Sequence, residues 1–179
     1  SVSNNEWAIG SANIGNRSIA TGFDGKLGGL IASGPSSIAI GADSMASGTS
    51  SIVLGVSSTA SGTSAVTLGS TNTASGDFST AMGIGSIASG NNSTAMGTTS
   101  IASGFASGVL GGVGSIASGD YSTVFGLGIT ARSAGEIAIG IQNTDYVPTS
   151  ISKVYNSDRL FVVGNADGDF SDAFTILKS

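Results

Sequence analysis

A glycine recurs at every seventh position through the middle of this chain: Gly41, Gly48, Gly55, Gly62, Gly69, Gly76, Gly83, Gly90, Gly97, Gly104 and Gly111. One residue is inserted in the Gly111-Gly112-Val113-Gly114 stretch, and the spacing resumes at Gly119, Gly126, Ser133 and Gly140. A short fixed period means that each unit buries its surface against the next, so the chain is a stack of like units. The position four before each glycine is usually Ser (Ser37, Ser44, Ser51, Ser58, Ser79), and the position two before it is usually Ala (Ala39, Ala46, Ala60, Ala74, Ala81). Each heptad therefore reads as a strand, S-x-A-x-G, followed by two turn residues. Side chains alternate along a strand, so Ser, Ala and Gly share one face and the two x positions share the other. Only the small face suits two closely apposed sheets.

The x positions double the period to fourteen. In one class of strand they are apolar, as in Ile38/Ile40, Ile52/Leu54 and Val66/Leu68, or mixed, as in Thr80/Met82, Thr94/Met96 and Thr123/Phe125. In the other class the second x is Ser, as in Met45/Ser47, Thr59/Ser61, Thr73/Ser75 and Ile87/Ser89. One strand of each class then makes one coil of a β-solenoid flattened into a roll. Coils stacked at ~4.8 Å make residues 34–140 a rod of roughly 35 Å. A coiled coil would also give a heptad, but a glycine per heptad costs a helix about 1 kcal/mol each and leaves no apolar seam. Collagen fails because glycine is not at every third position.

Composition narrows the function. Gly supplies 29 of 179 residues, about 16% against roughly 7% in average proteins, while charged residues make up 9% against roughly 25%. Cys and His are absent, which removes thiol nucleophiles, Cys/His zinc sites, disulfides and histidine general bases. A net charge of −5 argues against nucleic acid and anionic membranes as partners. No run approaches the ~18–20 apolar residues of a membrane span, and the residues from Ser1 onward do not read as a signal peptide. No enzyme activity, metal or cofactor is expected.

Twelve side chains form an apolar ladder pointing away from the small-residue interior: Ile38, Ile40, Ile52, Leu54, Val66, Leu68, Met82, Met96, Leu110, Phe125, Ile137 and Ile139. Soluble monomers rarely leave such a continuous patch in water, so self-association belongs to the fold. The run Ser37-Ile38-Ala39-Ile40-Gly41, alternating with Ser44-Met45-Ala46-Ser47-Gly48, resembles the YadA-like head repeat of trimeric autotransporter adhesins, a repeat also seen in phage tail fibres. The resemblance covers residues 34–140. It implies an all-β, left-handed parallel β-roll, a homotrimer with the ladder as its interface, and an adhesive role at the cell surface or outer membrane. A virion tail fibre is the alternative setting, and any membrane contact would come through segments outside this chain.

Both ends depart from the repeat. Glu6-Trp7-Ala8-Ile9-Gly10 mirrors Glu136-Ile137-Ala138-Ile139-Gly140, and Ser18-Ile19-Ala20-Thr21-Gly22 forms a second strand. Residues 23–33 are irregular, with a loop that exposes Asp24 and Lys26. Residues 1–140 thus make the roll and residues 141–179 a C-terminal module, a cap or neck transition. There Leu160-Phe161-Val162-Val163 and Ala173-Phe174-Thr175-Ile176-Leu177 flank a Gly/Asp-rich loop, which predicts a hairpin. Asn165-Ala166-Asp167-Gly168-Asp169 has oxygen ligands at calcium-loop spacing, but Ile176 stands where the bidentate Glu belongs, so an Asp/Gly turn is the simpler reading of Asn165–Asp172. Ser150-Ile151-Ser152-Lys153 matches a Ser-x-x-Lys pattern without its companion motifs.

Candidate binding residues come from the corners that follow the polar strands. Turns select Gly, Asn, Asp or Ser, so Phe78, Phe105 and Tyr121 are unexpected there. With Asp77, Asn91, Asn92 and Asp120 they offer ring faces beside polar groups on one edge of the rod, suited to a host receptor, matrix protein or glycan. Packing of these rings on a neighbouring chain is the competing expectation. The hydroxyls Thr59/Ser61 and Thr73/Ser75 also raise an ice-binding face, interrupted by Met45, Ile87, Ile101, Ile116 and Arg132.

Overall fold

Every element among the described residues of the computed structural model (7–9, 17–22, 29–166 and 169–179) is a β-strand. The strands fall into two sheets. One begins with Trp7–Ile9 and Ile19–Gly22, runs through longer strands from Ile38–Ala42, Ile52–Val56 and Val66–Ser70 to Ile137–Ile141, and ends with Arg159–Asn165 and Asp172–Leu177. The other holds short strands, from Ile31–Ala32 and Met45–Ala46 to Thr130–Ala131. Neighbours pair in parallel, each residue with its equivalent one coil away: Ile38 with Ile52 and Ile52 with Val66 in the long-strand sheet, Ala46 with Ala60 and Ala60 with Ala74 in the short-strand sheet. This is a parallel β-solenoid, and its eight short strands mark eight turns.

The two sheets are less alike than the heptads suggest. Short strands stop after the buried Ala because the next two N–H groups, those of Ser47 and Gly48, both donate to the carbonyl of Ala60 and bend the chain into the corner. Long strands instead run one position past the glycine, to Ala42, Val56, Ser70 and Ile84. The inserted residue forms a bulge: Met96 faces Leu110, but Thr98 faces Val113. Gly112 rather than Gly111 then lies against Gly97, so Gly111 is the extra residue.

Small side chains line the interior as expected. Ala39, Val53, Thr67, Ala81 and Ala95 from the long strands meet Ala46, Ala60, Ala74 and Ala88 from the short ones, all fully buried. The glycine spacing has a steric cause. A Cβ on Gly55 would meet the carbonyl of Gly69, and one on Gly62 the carbonyl of Gly76, closer than real Cβ contacts allow.

The buried serines divide into two columns with different chemistry. Entering the short strands, Ser44, Ser86 and Ser115 donate to the carbonyls of Gly55 (3.1 Å), Gly97 (3.0 Å) and Gly126 (2.8 Å). Asn72 takes the same place, its amide donating to Gly83 (2.9 Å) while its oxygen accepts from the Ser86 N–H. Ser100 in this column has no partner; entering the long strands, the hydroxyls of Ser51, Ser79, Ser93, Ser107 and Ser122 have none either, while Ser18 donates to Gly34 O (2.8 Å). Ala65 occupies this second column, so size alone is selected there.

The C-terminal stretch continues the long-strand sheet. Ile137 pairs with Thr123 on one side and, after a much longer step along the chain, with Phe161 on the other, so the last coil carries an inserted loop over 142–158. Asp172–Leu177 then runs antiparallel beside Arg159–Asn165. This end buries charge. Glu136 sits where earlier coils carry Ser107 and Ser122, its Oε2 accepting from the N–H groups of Arg132 (2.8 Å) and Ser133 (3.0 Å) while Oε1 has no partner. Lys178 Nζ donates to Ser133 Oγ (2.9 Å), and the buried Arg159 guanidinium binds Thr144 and approaches Asp172 at 3.3 Å. Burial raises the Asp158 carboxyl, but N–H and hydroxyl donors from Thr149 and the Ser150 N–H outweigh it and hold Asp158 below its ordinary range. Residues 1–6, 10–16 and 23–28, including Glu6, Asp24 and Lys26, lie outside the described residues, as do Asp167 and Gly168 of the Asp/Gly turn.

Ser115→Ala removes the donor to Gly126 and should cost about 1–3 kcal/mol in urea denaturation, whereas Ser79→Ala removes an unpartnered hydroxyl and should be neutral or stabilising by up to ~1 kcal/mol. Burial pushes the Glu136 carboxyl above its ordinary 4.5. The folded state therefore holds a proton that the unfolded chain releases, and the stability this contributes below the unfolded value is lost as pH rises through the folded one. Glu136→Gln keeps an acceptor but carries no charge. Its stability relative to the parent chain should rise between pH 4 and 7; a constant difference across that range would contradict the assignment.

Candidate functional site

Each coil leaves its short strand through a two-residue corner whose second residue is left-handed: Ser36, Ser50, Ser64, Phe78, Asn92, Ala106 and Tyr121, with φ between 51° and 59°. The corners stack through their backbones, Phe78 N–H donating to Thr63 O, Asn92 to Asp77 and Tyr121 to Phe105, at 2.7–2.8 Å. Asp and Asn at the first corner position extend this stack. Asp77 Oδ1 accepts from the Thr63 N–H (2.8 Å), Asn91 Oδ1 from Asp77 (3.0 Å) and Asp120 Oδ1 from Phe105 (2.8 Å). These three side chains are therefore engaged in holding corner to corner, a role that sequence reasoning did not assign them.

The aromatic residues are free to face outward. Phe78 is 61% exposed, Tyr121 62% and Phe105 42%. Phe105 and Tyr121 stack edge to face with centroids 5.4 Å apart. Phe78 stands two coils away, roughly 10 Å along the rod, with Asn91 and Asn92 between. Left-handed φ suits Gly, Asn or Ser; a bulky side chain there carries strain of order ~1–3 kcal/mol. Phe78 and Tyr121 thus work against local preference at positions that other coils fill with Ser, Asn or Ala.

The second surface is the outer face of the long-strand sheet. Register places Ile38, Ile52, Val66, Thr80 and Thr94 in one column and Ile40, Leu54, Leu68, Met82 and Met96 in the next. Phe125 and Ile137 continue the face, and Leu54, Leu68, Leu110, Phe125 and Ile137 are exposed. Sequence reasoning missed a third outward column, in which Val56, Ile84, Val113, Leu127 and Ile141 are exposed and Ala42, Ser70 and Thr98 interrupt them, because it assigned the residue after each glycine to a turn. The apolar residue after Gly55, Gly83, Gly112, Gly126 and Gly140 was the available signal. Phe161, Val163, Phe174 and Ile176 prolong the face toward the C-terminus, with Phe161 and Phe174 rings 6.2 Å apart.

The outer face of the short-strand sheet is mixed. Met45, Thr59, Thr73, Ile87, Ile101, Ile116 and Thr130 align in one column, so the Thr half of the hydroxyl array considered for ice is two residues long before Ile replaces it, while its Ser half continues from Ser61 to Ser118.

A family model described as the YadA head domain repeat matches residues 32–58, 46–72, 60–86, 74–100, 88–107 and 112–128. The first five matches begin at equivalent points of successive coils, and the break after residue 107 brackets the extra Gly111. No curated protein matches the chain. The matched segments cover just over half of the sequence and share the register of the stacked coils; the chain belongs to the YadA head repeat family.

Proposed function

We propose that this chain is a non-catalytic segment of a trimeric surface adhesin, displayed outside the cell, in which three rolls lie side by side with their long-strand sheets inward. The observation that carries the reading is the outer face of the long-strand sheet, where Leu54, Val56, Leu68, Ile84, Leu110, Val113, Phe125, Leu127, Ile137 and Ile141 are exposed along the roll. Each side chain covered there contributes about 1.5–3 kcal/mol, which the Ser/Ala/Gly interior cannot match. Ile38, Ile40, Ile52, Leu54, Val66, Leu68, Met82, Met96, Leu110, Phe125, Ile137 and Ile139 would form the interface together with the third column. The corner row would then face outward, with Phe78, Asn92, Phe105 and Tyr121 contacting a surface receptor, matrix protein or glycan. Asp77, Asn91 and Asp120 would hold those corners in place.

Ile52→Asp should abolish the trimer in sedimentation, because three carboxylates would meet in a dry interface without partners. Thr59→Asp, on the opposite sheet, should leave it intact, and a parent chain sedimenting as a stable monomer would refute the assembly. For attachment, Phe78→Asn with Tyr121→Asn relieves left-handed strain, so thermal stability should hold or rise while binding to cells or matrix falls several-fold. Lost stability with unchanged adhesion per folded trimer would make the rings packing residues instead.

A further inference from the structure

The serine column on the outer face of the short-strand sheet ends abruptly. Ser89, Ser103 and Ser118 follow one another coil by coil, and Arg132 takes the next place. The 142–158 loop folds back over this end and forms one wall of a half-open pocket of about 350 Å³. Ser118, Arg132 and Asp145 supply its polar wall; Tyr146, Val147, Pro148 and Ile151 supply the rest.

The polar wall is held by a network of hydrogen bonds. Asp145 accepts from Arg132 through both oxygens, one of them 2.7 Å from the terminal guanidinium nitrogen, and also from the Tyr146 N–H at 3.0 Å. The side chains of Arg132 and Asp145 nevertheless keep 40% and 56% of their surface open. Tyr146 is fixed from behind: the Arg159 guanidinium lies 4.2 Å from its ring centroid, and its hydroxyl accepts from the Arg159 N–H. The loop is pinned to the roll where the Asp120 N–H donates to Ile151 O at 2.7 Å, next to the Phe105–Tyr121 stack.

We propose that this cavity binds a neutral sugar. Arg132 and Asp145 are paired, so the site carries no net charge to favour an ion of either sign. A sugar hydroxyl is donor and acceptor at once, and can donate to Asp145 while accepting from a guanidinium N–H of Arg132 that Asp145 leaves free. The apolar C–H face of the ring then packs on Pro148 and Ile151. The volume lies at the small end of the ~300–1,000 Å³ of ligand pockets, which suits a single sugar unit. The site involves neither the trimer face nor the exposed corner rings, so it stands apart from the adhesive reading above.

The test is an NMR titration of the purified chain with methyl glucoside, methyl galactoside and N-acetylglucosamine, with N-acetylneuraminate and galacturonate as anionic counterparts. A neutral sugar should shift the amides of Arg132, Asp145 and Ile151 with a Kd near ~1 mM, about −4 kcal/mol. Arg132→Ser restores the residue of the preceding coils and should weaken binding at least ten-fold at unchanged melting temperature, while Thr73→Ala should leave it unaltered. No shift with any neutral sugar up to about 50 mM, a stronger response to the anionic sugars, or equal binding by Arg132→Ser would each overturn the proposal.

Discussion

Carbonyl oxygens of one coil lie against the glycine Cα atoms of the coil beneath, along two columns, and the rest of the molecule follows from that contact. Gly41, Gly55, Gly69 and Gly83 form one column and Gly48, Gly62, Gly76 and Gly90 the other, so both sheets are held at the same close spacing. Ala, Ser and an occasional Val or Thr fill the space between the sheets. A core of such side chains removes little apolar surface from water. Apart from Leu30 and Ile129, which are buried, most of the large apolar residues of the coils point outward, and covering them would add burial that the interior does not provide.

A narrow interior also limits where polar groups can go. At the entry to the short strands, Ser44, Asn72, Ser86 and Ser115 each reach a glycine carbonyl that the parallel ladder leaves available, so a hydrogen bond is gained in each of those coils. At the entry to most long strands, as at Ser51, Ser79, Ser93, Ser107 and Ser122, the hydroxyl finds no acceptor, and serine serves there as a small residue. The C-terminal coil abandons the pattern. Its interior holds Glu136, Asp158, Arg159 and Lys178, and an antiparallel strand ends the stack, so the last parallel edge is paired rather than left open. Such a charged plug is stable only while its hydrogen bonds persist, which couples this end of the rod to pH more than the charge-poor coils before it.

Function on a repeat of this kind resides in its exceptions. The left-handed corner recurs from coil to coil, and only a few coils place an aromatic ring on it. The regular step, as from Thr123 to Ile137, is kept through most coils, and the longer step from Ile137 to Phe161 creates a loop long enough to fold over a sheet face and shape a half-open pocket. The Phe105–Tyr121 pair and the loop lie toward the same end of the rod, linked through Asp120 and Ile151, while Phe78 stands midway along it.

The period, the inward face and the apolar ladder were legible in the sequence because each depends only on alternation along a strand and on glycine's missing Cβ, which act locally and identically in every coil. The family followed from the same residues. Strand lengths were not legible: Ser47 and Gly48 read as strand by composition, and only the neighbouring coil's Ala60 carbonyl, shared between their N–H groups, turns them into a corner. The third apolar column was hidden for the same reason, since Val56 and Ile84 gain their strand conformation from partners in the adjacent coil. Asp77, Asn91 and Asp120 showed their chemistry in sequence but not its use, because the N–H groups they accept from belong to the preceding coil. The pairing of Arg132 with Asp145 was invisible altogether. It depends on the path of an aperiodic loop, and no repeat rule determines where such a loop returns; tertiary packing alone does.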